Sequence, residues 1–309
     1  MNSTAPEWPL HLGCPVWACG EWAGQVYPRR TPRRKWLDWY SRTFNTVEGN
    51  STFYAIPTTT TTRRWARQSA AGFRFCFKFP SEISHELQLV NAEGATNRFL
   101  KALEPLAAAD RLGPTFLQLG KSFGPDRLRV LTRFLHTLPR DFSWAVELRH
   151  HGWFDLGDHE HRVNEMLSRH GIDKVLFDSR PLFQSPPHDE VEAESQQRKP
   201  QTPVRQTVTG KHPMLRLVGR NHVELVDRFL DQWAGIIAGW VNDGLQPYVF
   251  AHAPCDQFAP ALARRLAARL QRELPQRNLT VPQPPKPASQ LSLLDLSLIH
   301  ISEPTRPTT

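Results

Sequence analysis

Short apolar or alternating runs bounded by Gly or Pro recur along the chain at Leu12–Trp17, Thr43–Tyr54, Arg74–Pro80, Pro114–Gly120, Ser143–His150, Lys174–Arg180, Pro213–Gly219 and Pro247–Pro254. Each reads as a strand. Between them, apolar residues fall at helical spacing over Arg34–Arg42, Thr60–Gln68, Asn97–Asp110, Pro125–Leu138, His159–His170, His222–Asn242 and Pro260–Leu274. Strands that alternate with helices pair in parallel, and eight such units close a (β/α)8 TIM barrel. One helical slot is empty. Pro181–His212 is loaded with Pro, Gln and Ser and has no helical stripe, so a single α/β barrel with an irregular long loop in place of the sixth helix is expected. Whether that loop is a lid or disordered stays open.

In a barrel, alternate strand side chains point outward to the helices and inward to the interior, and function gathers at the strands' C-terminal ends. In the third strand Phe75, Phe77 and Phe79 read as outward, leaving Arg74, Cys76 and Lys78 inside. In the fifth, Trp144, Val146 and Leu148 read as outward, with Glu147 and Arg149 inside. The same alternation puts Glu48 and Asn50, Gln118, Asp178, Arg216 and His252 at one mouth, from strands two, four, six, seven and eight. Any one of these is explained by a structural ion pair. Together they ask for another reason, because each buried charge costs several kcal/mol unless paired, and Val, Ile or Leu fill such layers more cheaply.

Composition changes this picture little. The 309 residues are 39% hydrophobic and 22% charged, close to the globular norm, and no apolar run reaches the roughly 18 residues that span a bilayer. A net charge of +8 with a pI near 9.6 favours anionic partners but is thinly spread. Cys14, Cys19, Cys76 and Cys255 form no C-x-x-C pair, and no basic segment followed by an apolar stretch opens the chain. A cytoplasmic protein with reduced thiols and no membrane association is expected. The barrel is assigned to residues 10–278 and a Pro/Gln-rich tail to 279–295. LSLIHISEPTR from Leu296 reads as sequencing-adapter translation, which makes 296–309 non-native.

The inward residues also form recognisable strings. Gly13-x-x-x-Trp17 with Trp22 and Tyr27-Pro28 is followed by FNTVEGNSTFYAIP from Phe44 and GFRFCFKFPSEISH from Gly72. FLQLGKSFGP starts at Phe116, VELRHHGWF at Val146, LFDSRP at Leu176, QRKPQTPV at Gln197 and QLSLLD at Gln290. From about residue 10 to 295 the chain resembles the domain of unknown function 72 family, in its bacterial YecE-like branch. The resemblance implies a TIM barrel shaped like those of the xylose isomerase and endonuclease IV type. It implies no activity, because the family's reaction is not established, and Glu48, Lys78, His85, Gln118, Glu147, Arg149 and Asp178 occupy its characteristic strings. One departure stands out: LQLGKSF lacks the proline usual after LQL, so the loop at Gly120 and Lys121 is expected to take its own path.

Two chemistries compete for the mouth. Glu48, Glu147, Asp178 and His252 are ligand types for Mg²⁺, Mn²⁺ or Zn²⁺, as in a metal-dependent isomerase or endonuclease-like barrel. Lys78, Arg149 and Arg216 roughly cancel the field such an ion needs. The favoured reading is therefore a small anionic or sugar-like ligand held by Lys78, Arg149 and Arg216, with Gln118, Asn50, Trp17 and His252 as further binding residues. Glu147, Glu48, His85 and Asp178 are the catalytic candidates. A carboxylate beside a cation acts as base, and one further away stays protonated as acid. The reaction stays open among isomerase, lyase and hydrolase, with no cofactor expected, since no glycine-rich dinucleotide fingerprint follows a strand. A Schiff base at Lys78 is disfavoured because neighbouring carboxylates are expected to raise its pKa. Trp17, Trp22, Tyr27 and Trp153 either stack on the ligand or cover the barrel top. A nucleic-acid-associated binding protein is the alternative, using Arg29 to Lys35 and Arg63, Arg64 and Arg67, although a solvated helix face explains these better.

Overall fold

In the computed structural model, residues 9–277 are described; the two C-terminal segments assigned above lie outside them. Eight parallel strands form one sheet: β1 His11–Cys14, β2 Thr46–Gly49, β3 Arg74–Phe77, β4 Thr115–Gln118, β5 Trp144–Glu147, β6 Asp173–Asp178, β7 Met214–Val218 and β8 Tyr248–His252. The order runs β3-β2-β1-β8-β7-β6-β5-β4. Bridges Phe75 to Leu112 and Lys78 to Phe116 join the two ends, so the sheet closes into the expected TIM barrel.

Helices α1 Trp36–Thr43, α2 Thr59–Gln68, α3 Glu93–Ala108, α4 Leu128–His136 and α5 Asp158–Arg169 follow the first five strands. Helices α8 Asp227–Asn242 and α9 Ala259–Glu273 follow the last two. Each exists because one face is apolar. In α4, Leu131, Phe134 and Leu135 are buried; in α8, Leu230, Trp233 and Ile237 are. The Thr58 hydroxyl starts α2 by accepting the Thr61 N–H.

The segment after β6 carries helix where none was expected. A single turn, α6 Arg180–Phe183, leads to α7 Glu190–Arg198. Periodicity misses α7 because the side chains it buries include Glu192 and Ser195, which are polar. Glu192 is fully buried, accepts from the Arg220 guanidinium, and takes the backbone N–H groups of His188 (2.9 Å) and Asn221 (3.0 Å). Asp189 caps the helix and binds Asn221. These bonds clamp α7 to the segment after β7, beside the mouth. The flanking position itself has no helix: after α7 residues 200–209 form no regular element, with Val204 and Val208 packed on the core and Thr209 bonded to the Ile172 carbonyl.

Inside the barrel, Cys76, Phe116, Ala145, Val175, Met214, Tyr248 and Phe250 form an apolar middle layer that separates two polar ends. Gly49 lets β2 lie flat on β3, since a Cβ there would stand 2.3 Å from the Phe77 ring. This close approach brings Glu48 level with Cys76, one layer below the mouth.

Candidate functional site at the barrel mouth

Arg216 of β7 is the hub of the upper layer. Its Nε and Nη2 donate to the two oxygens of Glu48 (2.8 and 2.7 Å), and its Nη1 donates to Glu147. Arg149 donates Nε to the other Glu147 oxygen at 2.6 Å. His252 Nε2 lies 3.1 Å from Glu48, and the Asn50 amide donates to it at 2.7 Å. In the strand register Gln118 pairs with Glu147, and Arg216 pairs with Phe250, two residues before His252. Alternation thus places Glu48, Asn50, Lys78, Gln118, Glu147, Arg149, Arg216 and His252 where the sequence puts them.

Asp178 is a correction. Val175 and Phe177 fill the interior, so β6 turns Asp178 outward, where it accepts from Trp233 Nε1 of α8 (2.7 Å) and pairs with Arg180. DKVLFD is apolar at both alternations in its middle, so the pattern does not say which aspartate faces in. The four-ligand metal set fails with it. Arg216 sits between Glu48 and Glu147, and among the described residues no group of three or more His, Cys, Asp or Glu is placed to hold an ion.

Trp17 is also misplaced by the sequence reading. It packs edge-on against Trp65 and Phe75 on the outside of the barrel. Trp22 and Trp153 are fully buried, with their indole N–H groups on the carbonyls of Asp256 and Phe123. The aromatic residues at the mouth are Phe53 and Tyr54, from the single-turn helix after β2. Thr52 braces that turn by donating to the carbonyls of Gly49 and Lys78. The STFY string at the end of β2 carried this signal.

The mouth holds a cavity of about 440 Å³, within the range of small-molecule sites. Asn50, Phe53, Lys78, Gln118, Arg149 and His252 line it from the strands, and α7 adds Ser195, Arg198 and Lys199 from the opposite wall. Those three escaped sequence reasoning because α7 itself did, and Asp256 because it lies in the loop after β8, beyond the strand alternation. His85 is not on the wall. It packs edge-on against Phe53, with Nδ1 on the Ser84 hydroxyl at 2.8 Å.

The electrostatics reverse two expectations. Burial pushes Glu147 up, but Arg149 and Arg216 outweigh it and hold the carboxyl at about 2. Burial also opposes ionisation of Glu48, yet Arg216 and His252 keep it well below the usual carboxylate range. Neither stays protonated to act as an acid. Lys78 moves down, not up: burial first, then Arg216, bring it to about 7, against the pull of Glu147. Burial and Arg216 likewise lower Lys199 to about 8. Burial lowers His252 despite Glu48, and burial, Lys78 and Arg149 lower His85.

Comparison with known proteins agrees with this architecture. The family described as "Protein of unknown function DUF72" matches residues 11–290. The chain belongs to this family. It is 35% identical to the UPF0759 protein YecE of Escherichia coli K12, over 86% of this chain and 94% of that one. The UPF0759 protein YunF of Bacillus subtilis is 24% identical, over 54% of this chain and 60% of its own. Among solved structures, a DUF72 family protein of Thermotoga maritima superposes with a TM-score of 0.63 at 24% identity, covering 86% of this chain and 99% of its own. One from Enterococcus faecalis gives 0.61 at 20%, covering 77% and 93%. Both share the fold of this DUF72 barrel.

The basic segments lie elsewhere. Arg33, Arg34 and Arg64 line a separate cleft between α1 and α2, with Trp17 and Trp65. No helix among the described residues is long and apolar enough to cross a membrane.

Proposed function

We propose that the mouth is an enzyme active centre for a small anionic, hydroxylated substrate, with proton exchange carried by Lys78. One observation carries the reading: the cavity has cations left over after its carboxylates are satisfied. Glu48 and Glu147 are spent on Arg216 and on Nε of Arg149. Among the described residues, the terminal nitrogens of Arg149 and the amines of Lys78 and Lys199 have neither a hydrogen bond nor a carboxylate partner. A planar fork beside two amines suits a carboxylate or phosphate. Gln118, Asn50 and Ser195 supply amide and hydroxyl groups for a polar remainder.

General acid-base work is most efficient from a group whose pKa lies near the working pH. Lys78, at about 7, meets this condition, and the ionised carboxylates do not. Their role is to hold Arg216 and Arg149 in place. Calorimetric titration with inorganic phosphate tests the anion site. Arg149→Lys is expected to weaken binding by about tenfold, because a point charge cannot reproduce the fork, while the melting temperature changes little. Equal phosphate affinity in the variant and the parent overturns the reading.

A further inference from the structure

Lys78 is placed for more than proton exchange. Its Nζ stands 3.6 Å from the centre of the Phe53 ring, and its side chain is almost wholly buried, yet the amine borders the cavity. No acceptor among the described residues holds it, whereas Lys174, the other buried strand lysine, is tied to Asn164 at 2.9 Å. Arg216, whose charge stays fixed between two carboxylates, and Arg149 are its cationic neighbours. An amine desolvated against an apolar surface and beside other cations is the arrangement that frees its lone pair for attack on carbon.

We propose that Lys78 is a nucleophile whose Nζ condenses with the carbonyl of a small aldehyde, ketone or 2-oxo acid bearing a carboxylate or phosphate, the anionic group resting on Arg149 and Lys199. This deepens the reading of the mouth as an anion site and rests on it. The neutral amine adds to the carbonyl carbon as the C=O π pair moves to oxygen, giving a carbinolamine. The C–O bond then breaks, the nitrogen pair forms C=N, and the oxygen leaves as water with the two hydrogens of the original amine. No oxidant or reductant is needed, and hydrolysis reverses the step. The groups facing Nζ are Arg216, Glu147, Arg149 and Glu48, with His85 beyond the Phe53 ring; their summed effect with burial leaves the amine half neutral at about pH 7.

The test is reductive trapping of the full chain. Protein is incubated with pyruvate, with dihydroxyacetone phosphate or with acetone, reduced with borohydride, and mapped by peptide mass spectrometry. The expected result is a single adduct on Lys78 with one or both anionic carbonyls, at least about tenfold faster than with acetone. The two anionic probes tell whether carboxylate or phosphate is preferred. Inorganic phosphate is expected to suppress the adduct, and its rate is expected to level off above about pH 7, where an ordinary lysine at about 10.4 still climbs. Lys78→Arg is expected to abolish it with phosphate binding retained, and Lys199→Met, which removes one of the two anion contacts, to slow it with the anionic probes while the remaining adduct stays on Lys78. Circular dichroism melts of both variants establish that they fold. Absence of an adduct, labelling spread evenly over surface lysines, or an adduct on Lys199 overturns the proposal. If phosphate still binds in those cases, the anion-site reading survives; if phosphate binds nowhere, both fail.

Discussion

At the N-terminal ends of the strands, Asp173 accepts the backbone N–H of His212 at 2.8 Å, and His11 stacks flat on Tyr248 with ring centres 4.2 Å apart. Asn45 ties the backbone of Leu10 and Leu12. At the opposite end, side chains bind side chains: Glu48, Arg216, Glu147 and Arg149 form a chain of charges. Both ends bury polar groups, so burial alone does not mark function. What separates them is the partner. The lower end turns Asp173 and Asn45 to backbone groups and His11 to a neutral ring, and its charge pair joins Arg74 to the exposed Asp110 at the surface. The upper end pairs charge with charge and still leaves cations facing a cavity, at the face where TIM barrels carry their chemistry.

The largest effect tests the upper end. Arg216→Leu leaves Glu48 and Glu147 buried without their shared partner, and is expected to cost about 3–5 kcal/mol in urea unfolding at neutral pH. A loss no larger than that of a surface substitution breaks the contrast, since Arg216 would then not be the hub.

Acid titration separates the ends next. Burial, then Arg74, lowers His11 to about 3, so between about 3 and 6.5 the unfolded chain binds a proton that the folded chain does not. Stability therefore falls as pH drops through that window. Glu147, held at about 2, adds its own loss only below its ordinary value of 4.5. Urea midpoints measured against pH in His11→Phe are expected to fall less steeply than in the parent between pH 6.5 and 4.5, the lowered His85 and His252 keeping part of the slope, and to keep the fall below pH 4.5. An unchanged profile would remove His11 from the account of the lower end.

The smallest effect concerns Asp178. Asp178→Asn is expected to leave phosphate affinity at the mouth unchanged and to lower stability by about 1–2 kcal/mol through its weakened bonds with Trp233 and Arg180. A changed affinity would return Asp178 to the site.

The order of the strands, their inward faces and the convergence of Glu48, Lys78, Glu147, Arg149 and Arg216 were legible along the chain. In β3 Arg74, Cys76 and Lys78 alternate with Phe75, Phe77 and Phe79, and at the end of β5 Glu147 and Arg149 alternate with Val146 and Leu148, so a two-residue period leaves no choice of face. Where that alternation lapsed, as in DKVLFD, the face of Asp178 was undetermined, and only packing of Phe177 against the Arg149 and Arg216 side chains decided it. Helix α7 was illegible for a related reason. Its buried Glu192 is satisfied by Arg220 and Asn221, from a segment distant in the chain, so no local stripe records it.

The sequence by itself determined which residues of the strictly alternating strands share the mouth, because strand periodicity and parallel order are local properties repeated along the chain. Only the tertiary structure decided what those residues are. Glu147 is an ionised brace and Lys78 an amine near neutrality because burial and the placement of Arg216 set their proton affinities. Those are sums over neighbours from different strands, and no spacing in one strand contains them.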